Sequence, residues 1–294
     1  MELKNLYTIM KILETGSFQN AANELNYAQS TITFQVKQLE SELGIKIFEK
    51  KQNRMVITED GKEVLPFIEK VIDSVDMLLS YKSGSNIPKG SLRIALPETL
   101  VTYKIQPVLK TFKEQAPNVK LYLQVLNCYS IYDQLLNGNI DIAIHYDVKN
   151  YPQNIEVIEL EKYPLVMVAS SCADDTTVDL IKPNQKKAVC HIQNDPNALY
   201  LKILDHYLRE KKISLETGME VWSIEAIKKS VMSNLGIAYL PRFTVEDELE
   251  KGVFRECPMD ISGEMTALCA YPANKKNNPT VSLFLELLSK EFNL

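Results

Sequence analysis

Between Gln29 and Lys37 the chain reads Gln-Ser-Thr-Ile-Thr-Phe-Gln-Val-Lys, with hydroxyl, amide and basic side chains interleaved with apolar ones. At 100° per residue, Ile32, Val36, Leu39 and Leu43 form one helical stripe, and Ser30, Phe34, Lys37 and Ser41 fall roughly opposite it. An aromatic ring opposite the apolar stripe suits a thymine methyl group. Gln29 and Gln35 suit adenine edges, and Ser30, Thr31 and Thr33 suit phosphates or base edges near a helix start. Lys50, Lys51 and Arg54 surround the polar pair Gln52-Asn53. On a hairpin they would lie over a sugar-phosphate backbone and position a domain without reading sequence.

Signatures of catalysis are missing. The chain has no GxSxG, GxGxxG, Walker loop or HExxH. His145, His191 and His206 are isolated and suit structural roles, and Asp141 suits a cap or a loop-orienting role. Cys128, Cys172, Cys190, Cys257 and Cys269 are odd in number and lack CxxC spacing, which favours buried free thiols in a reducing cytoplasm over disulfides or zinc. Neither a metal nor a catalytic residue is expected, and Trp222 suits either core packing or a crevice wall.

The elements around these residues follow from periodicity and punctuation. Leu3, Leu6, Tyr7, Met10 and Leu13 have helical spacing and stop at Gly16. Ser17 can cap a short second helix with Phe18, Ala21, Ala22 and Leu25 on one face, and the third helix stops at Gly44. This is a helix-turn-helix layout. Ile45, Ile47, Val56 and Ile57 around the turn 51–54 predict a two-stranded wing. Val64, Ile68, Val71, Val75 and Leu78 repeat every four and three residues, which predicts a helix that dimerises along this seam, with Pro66 bending its start. Residues 82–91 read as a linker.

The net charge of −5 argues against a nucleic-acid partner only on average. Residues 1–58 carry seven basic and six acidic side chains, and the stretch from Lys46 to Arg54 has four bases and one acid. Phosphate contacts are local, so a basic spot on an acidic body is compatible with DNA binding. No apolar run reaches the roughly 18–20 residues of a membrane span, and the first residues lack the pattern of a secretory signal.

From Ser91 strands alternate with helices, as in an α/β domain. SLRIALP, VKLYLQVLN and NIDIAIHYD read as strands, and so do PLVMVAS (164–170), KAVCHI and TALCAYP. Thr99–Glu114 reads as a helix that starts late or kinks at Pro107, and Ser130 as the cap of the helix ending at Gly138. ALYLKILDHYLREKKI and VSLFLELLSKEF read as further helices.

Residues 17–61, SFQNAANELNYAQSTITFQVKQLESELGIKIFEKKQNRMVITEDG, resemble the N-terminal domain of the LysR-type transcriptional regulators. The shared features are SF..AA..L, then QS..T.Q.K.LE..LG...F.K, then Thr and Gly at fixed spacing. GNIDIAI and EVWSIEAIKKSVMSNLGIAYLP extend the likeness into the second half. The resemblance implies an α/β chain with an N-terminal winged helix-turn-helix (1–58) and a long dimerisation linker helix with hinge (59–90). A periplasmic-binding-protein-like effector domain of two subdomains would follow (91–294). Subdomain I would span about 91–162 and 269–294, and subdomain II about 163–268. It also implies a cytoplasmic homodimer or homotetramer that binds double-stranded DNA at an interrupted inverted repeat, contacts RNA polymerase, and answers to a small-molecule effector, with no cofactor. Phe34 stands where arginine is frequent in the family, Lys50 replaces a common arginine, and Asn53 occupies a usually basic position. A Phe cannot donate to guanine, so operator preference does not transfer from relatives.

By position, the resemblance places the effector against Pro97, Glu98, Thr99 and Leu100, against His145 and Tyr146, and against Trp222 and Ser223. Backbone N–H groups and the Thr99 and Ser223 hydroxyls at helix starts suit a carboxylate. Glu98 pointing inward would favour an amine or a zwitterion, and Glu98 at the surface a small anion. A cytoplasmic binding protein or enzyme of periplasmic-binding-protein shape, with an unrelated helical N-terminal domain, is the alternative reading of the whole chain.

Overall fold

The computed structural model describes residues 1–51, 54–83, 88–148, 150–261 and 263–294. The chain divides into two compact units, Met1–Asn86 and Ile87–Leu294. In the first, α1 (Leu3–Thr15), α2 (Phe18–Leu25) and α3 (Gln29–Leu43) precede a hairpin of β1 (Phe48–Lys51) and β2 (Arg54–Ile57), and α4 (Glu59–Ser83) follows. Gly16 and Gly44 end α1 and α3 with φ of 72° and 71°, a conformation that strains other residues. The Ser17 hydroxyl caps α2 by accepting from the Asn20 N–H at 3.0 Å. Leu6, Ile9, Ile12, Ala21, Ala22, Ile32, Val36, Leu39, Ile47 and Phe48 make the core. Leu43 was expected in the buried stripe but is exposed, one turn beyond that core.

The seam of α4 does not run as its heptads suggest. Ile68 and Ile72 are buried in the core of the unit, and Val64 and Val71 pack against it. The Tyr7 hydroxyl of α1 donates to Asp76 of α4 at 2.7 Å. The first turns of the seam therefore face the unit's own α1, which removes Ile68 from any intermolecular contact. Among the described side chains of α4, the exposed large apolar ones are Phe67, Leu78 and Leu79.

The second unit contains β3 (Ser91–Leu96), α5 (Glu98–Tyr103), α6 (Gln106–Gln115), β4 (Lys120–Val125), α7 (Cys128–Leu136), β5 (Ile142–Tyr146) and β6 (Ile155–Ser170). Then come α8 (Asp175–Val178), β7 (Lys186–Gln193), α9 (Leu199–Lys211), β8 (Ser214–Glu220), α10 (Ile224–Met232) and β9 (Ala238–Pro241). The unit closes with α11 (Glu246–Glu250), β10 (Phe254–Glu256), β11 (Glu264–Pro272) and α12 (Pro279–Glu291). The helix expected over 99–114, with a late start or kink at Pro107, is two helices, and Pro107 lies in the first turn of α6, where its missing N–H costs nothing. Asn127, not Ser130, caps α7, accepting from the Ser130 N–H at 2.9 Å.

Parallel strands β4, β3 and β5 continue through antiparallel β11 into β6. Strand β6 is longer than the segment 164–170 expected for it. Residues up to Pro164 pair with β11, and Leu165 to Ser170 pair with β9 and β10. One strand thus serves two lobes, the second completed by the parallel pair β7 and β8. Strand β5 is buried along its whole length, paired on both edges and covered on both faces. Ile142, Ile144 and Tyr146 join one core cluster, and Ala143 joins the cluster on the opposite face. The Asp141 carboxylate accepts from the Arg93 N–H at 2.7 Å and pairs with Lys275, the orienting role its position suggests.

Candidate functional site

Helix α3 sorts the residues expected on its outer face. Gln29, Ser30, Phe34 and Lys37 are exposed, Phe34 to 66 %, and Thr31 and Thr33 are half-buried. Thr33 donates back to the Gln29 carbonyl at 3.0 Å. Gln35 does not belong to this face. It is 3 % exposed, and its Oε1 accepts from the Thr8 hydroxyl at 2.6 Å, so its amide locks α3 to α1. Lys50 and Lys51 are exposed on the hairpin, and Lys51 pairs with Glu49 at 2.6 Å. Gln52, Asn53 and the side chain of Arg54 lie outside the described residues.

Glu40 joins helix to hairpin, and sequence reasoning missed it. Its Oε1 accepts from the N–H groups of Ile47 (2.8 Å) and Phe48 (3.1 Å), and its Oε2 pairs with Lys46 at 3.0 Å. A carboxylate on the buried side of α3, four residues after Val36, was the available signal.

In the second unit a cavity of about 190 Å³ opens where the carboxyl ends of β3, β4, β5, β7 and β8 meet. Crevices at such strand ends are where α/β folds hold ligands. Pro97, Glu98, Thr99, Tyr146 and Trp222 line it, as expected from sequence. Trp222 stands on the rim, 68 % exposed, and is not a core residue. Leu126, Asn127, Cys128, Asn194, Asp195, Leu199 and Tyr200 also line it. These sequence reasoning did not place there, although Asn194-Asp195-Pro196 before α9 is a recognisable turn.

Three expected residues are elsewhere. Leu100 is buried in the core. His145 alternates with Tyr146 along β5 and so faces away from the pocket, against Tyr151 at 6.1 Å between rings. Its Nδ1–H donates to the Tyr146 carbonyl at 2.9 Å, and burial pulls its pKa down to about 4. Ser223 is the N-cap of α10 but its hydroxyl donates to Glu98 at 3.2 Å, and the Ile224 N–H donates to the other Glu98 oxygen at 3.0 Å. Glu98 thus neither lies idle at the surface nor leaves the α10 N-terminus open. Reaching from the first lobe, it supplies the anion that this helix end attracts.

Beside it, Tyr103 donates to Glu225 and accepts from Lys228 at 3.1 Å, and Lys228 also pairs with Glu248 at 3.0 Å. Across the cleft, the Lys202 ammonium donates to the Tyr129 hydroxyl. Inside, the Thr99 and Tyr146 hydroxyls share a hydrogen bond of 2.8 Å. Of the cysteines, Cys128, Cys257 and Cys269 are buried as expected, whereas Cys172 is exposed and Cys190 half-buried. Among the described residues no group of three or more His, Cys, Asp or Glu side chains could hold a metal ion, and no helix is long and apolar enough to cross a membrane.

Comparison with known proteins agrees with this architecture. Residues 3–62 match the bacterial regulatory helix-turn-helix protein, lysR family, and residues 85–293 match the LysR substrate binding domain. The chain is 38 % identical to an uncharacterized HTH-type transcriptional regulator of Escherichia coli (strain K12), YfiE, covering 99 % of both. It is 31 % identical to YwqM of Bacillus subtilis (strain 168), covering 99 % of this chain and 100 % of that one. Among solved structures, full-length OxyR from Pseudomonas aeruginosa shares the fold with a TM-score of 0.64 at 21 % identity, over 100 % of this chain and 95 % of that one. Helix-turn-helix, wing and two-lobed α/β unit together make the chain a member of the LysR family of transcriptional regulators.

Proposed function

We propose that the protein is a cytoplasmic regulator that binds an interrupted inverted repeat as a dimer or a dimer of dimers, and that a small molecule in the cleft pocket controls it. The observation that carries the DNA reading is the outer face of α3, where Phe34 is exposed opposite the buried Ile32, Val36 and Leu39. Phe34 and Gln29 read base edges, with Phe34 on a thymine methyl. Ser30, Thr31, Thr33 and Lys37 contact bases or phosphates. Lys50, Lys51 and Arg54 hold the sugar-phosphate backbone. An exposed pair such as Lys51–Glu49 is weak and yields to a phosphate. Dimerisation uses the exposed apolar end of α4 at Leu78, with Leu79 and Phe67, and Val75 at its edge.

The effector occupies the cavity lined by Pro97, Glu98, Thr99, Tyr146 and Trp222. Bound between the lobes, it acts on the contacts that join them through Glu98 and Tyr103. The chain acts through binding and not through turnover, and RNA polymerase is its further partner. A gel-shift titration with the DNA upstream of the protein's own gene tests the reading. Retardation and a footprint of two half-sites are expected, and Lys50→Ala should reduce the slope of log affinity against log salt by about 0.9 per bound subunit, about 1.8 for a dimer. Folded protein that fails to retard this DNA at low salt would favour a binding protein or enzyme without an operator.

A further inference from the structure

The cleft pocket is acidic, and one of its lining carboxylates has a buried oxygen without a partner. Among the described residues, the charged side chains that line it are Glu98 and Asp195. Both Glu98 oxygens are occupied by Ser223 and Ile224. Asp195 differs. Its Oδ1 accepts from the Asn197 N–H at 2.8 Å, but its Oδ2 has no hydrogen-bond partner although the residue is only 5 % exposed. A carboxylate oxygen held out of water without a donor is costly until a donor or a cation reaches it.

Several other lining polar atoms are already engaged. Asn127 Oδ1 accepts from Ser130, Asn194 Oδ1 accepts from the Tyr200 hydroxyl at 2.5 Å, and the Thr99 and Tyr146 hydroxyls bond each other. Burial pushes the Cys128 thiol up to about 12, so it stays neutral. Tyr200, Trp222 and Leu199 supply aromatic and aliphatic walls, and aromatic faces attract cations. A carboxylate ligand would meet two like charges, with no base among the described lining residues to offset them. The cavity of about 190 Å³ is also far larger than the roughly 10–15 Å³ that one water needs.

We infer that the pocket takes a small organic cation, a protonated amine on a short apolar body, with the Asp195 carboxylate as its counter-ion. This names the ligand class of the effector site proposed above and rests on that reading.

Titration calorimetry on the full-length protein tests it with n-pentylamine and phenethylamine, their size-matched acids hexanoate and phenylpropanoate, and neutral pentanol. The amines are expected to bind and the acids not. Asp195→Asn keeps an acceptor for the Asn197 N–H and removes the charge, so it should weaken amine binding by about thirtyfold or more. Glu98→Gln, whose carboxylate is already engaged, should weaken it less. Preference for the acids, or an Asp195→Asn protein that binds amines as the parent does, overturns the ligand class and leaves the effector reading standing. Failure of amines, acids and pentanol alike overturns both.

Discussion

Replacing Glu40 by alanine should loosen the wing from the recognition helix. The carboxylate holds the N–H groups of Ile47 and Phe48, both in buried positions, at 2.8 and 3.1 Å. Each stranded buried donor costs about 1–3 kcal/mol, so the pair amounts to about 2–4 kcal/mol once water reaches part of the gap. The Lys46 pair adds little because that ammonium is solvated. At about 1.4 kcal/mol per tenfold, the two amides should exchange with solvent roughly 30- to 700-fold faster in the full-length protein. Operator affinity should fall with it, since Lys50 and Lys51 lose their placement relative to Phe34. Glu40→Gln keeps one acceptor oxygen for both amides and should cost about 1 kcal/mol. Amide exchange by NMR and a gel-shift titration read both effects. If the alanine protein exchanges and binds like the parent, or if glutamine is as damaging as alanine, the carboxylate is not what couples wing to helix.

Other outcomes follow from exposure and burial. Phe34→Ala should leave the melting temperature almost unchanged, since the ring is largely in solvent, yet shift discrimination at one base by about 1–3 kcal/mol. Competition binding against single-base operator variants checks this, and an unchanged preference profile would remove Phe34 from the base-reading face. Leu78→Asp places a charge on the exposed apolar end of α4 and should give monomers in sedimentation without unfolding the first unit; a dimer that survives it would clear that surface of the role. His145 is neutral in the fold, with its pKa pulled down to about 4 from 6.5 by burial. The unfolded chain therefore takes up the proton first as pH falls, and stability present above pH 6.5 should decline toward pH 4 by about 3 kcal/mol. Urea midpoints against pH should show that decline, reduced in His145→Gln; equal slopes in both proteins would count against it.

The residues differ in how plainly their structure could be read from sequence. Gly16, Ser17 and Gly44 announce themselves because the terminus of a helix is a local event, settled within four residues. The outer face of α3 is legible by the same periodicity, and the family likeness added the cleft positions at Pro97, Thr99, Tyr146 and Trp222. Gln35 and Ile68 were misread because a helical wheel gives direction but not which neighbour covers it. The Thr8 hydroxyl that engages Gln35 is 27 residues away, and α1 turns the start of the α4 seam inward. His145 was misplaced for want of strand register, since one residue along β5 exchanges pocket for core. The bond from Ser223 to Glu98 spans 125 residues, and no local pattern foretells it.

The course of the chain through β6 has a consequence for the order in which the protein is made. The first lobe of the second unit is begun by β3, β4 and β5, but its sheet waits for β11, and α12 packs on α6 through Phe284 against Phe112. Everything between Leu165 and Gly263 must leave the ribosome before that lobe can close. The first unit needs nothing beyond residue 86. During synthesis a finished helix-turn-helix therefore precedes the cleft pocket, separated by strand pairings of high sequence distance, the slow kind. A chain stopped early by a nonsense codon within 165–263 would keep the recognition helix and the wing intact and lack the completed effector lobe. Such truncations should behave in the cell as dominant competitors for the operator and not as simple losses.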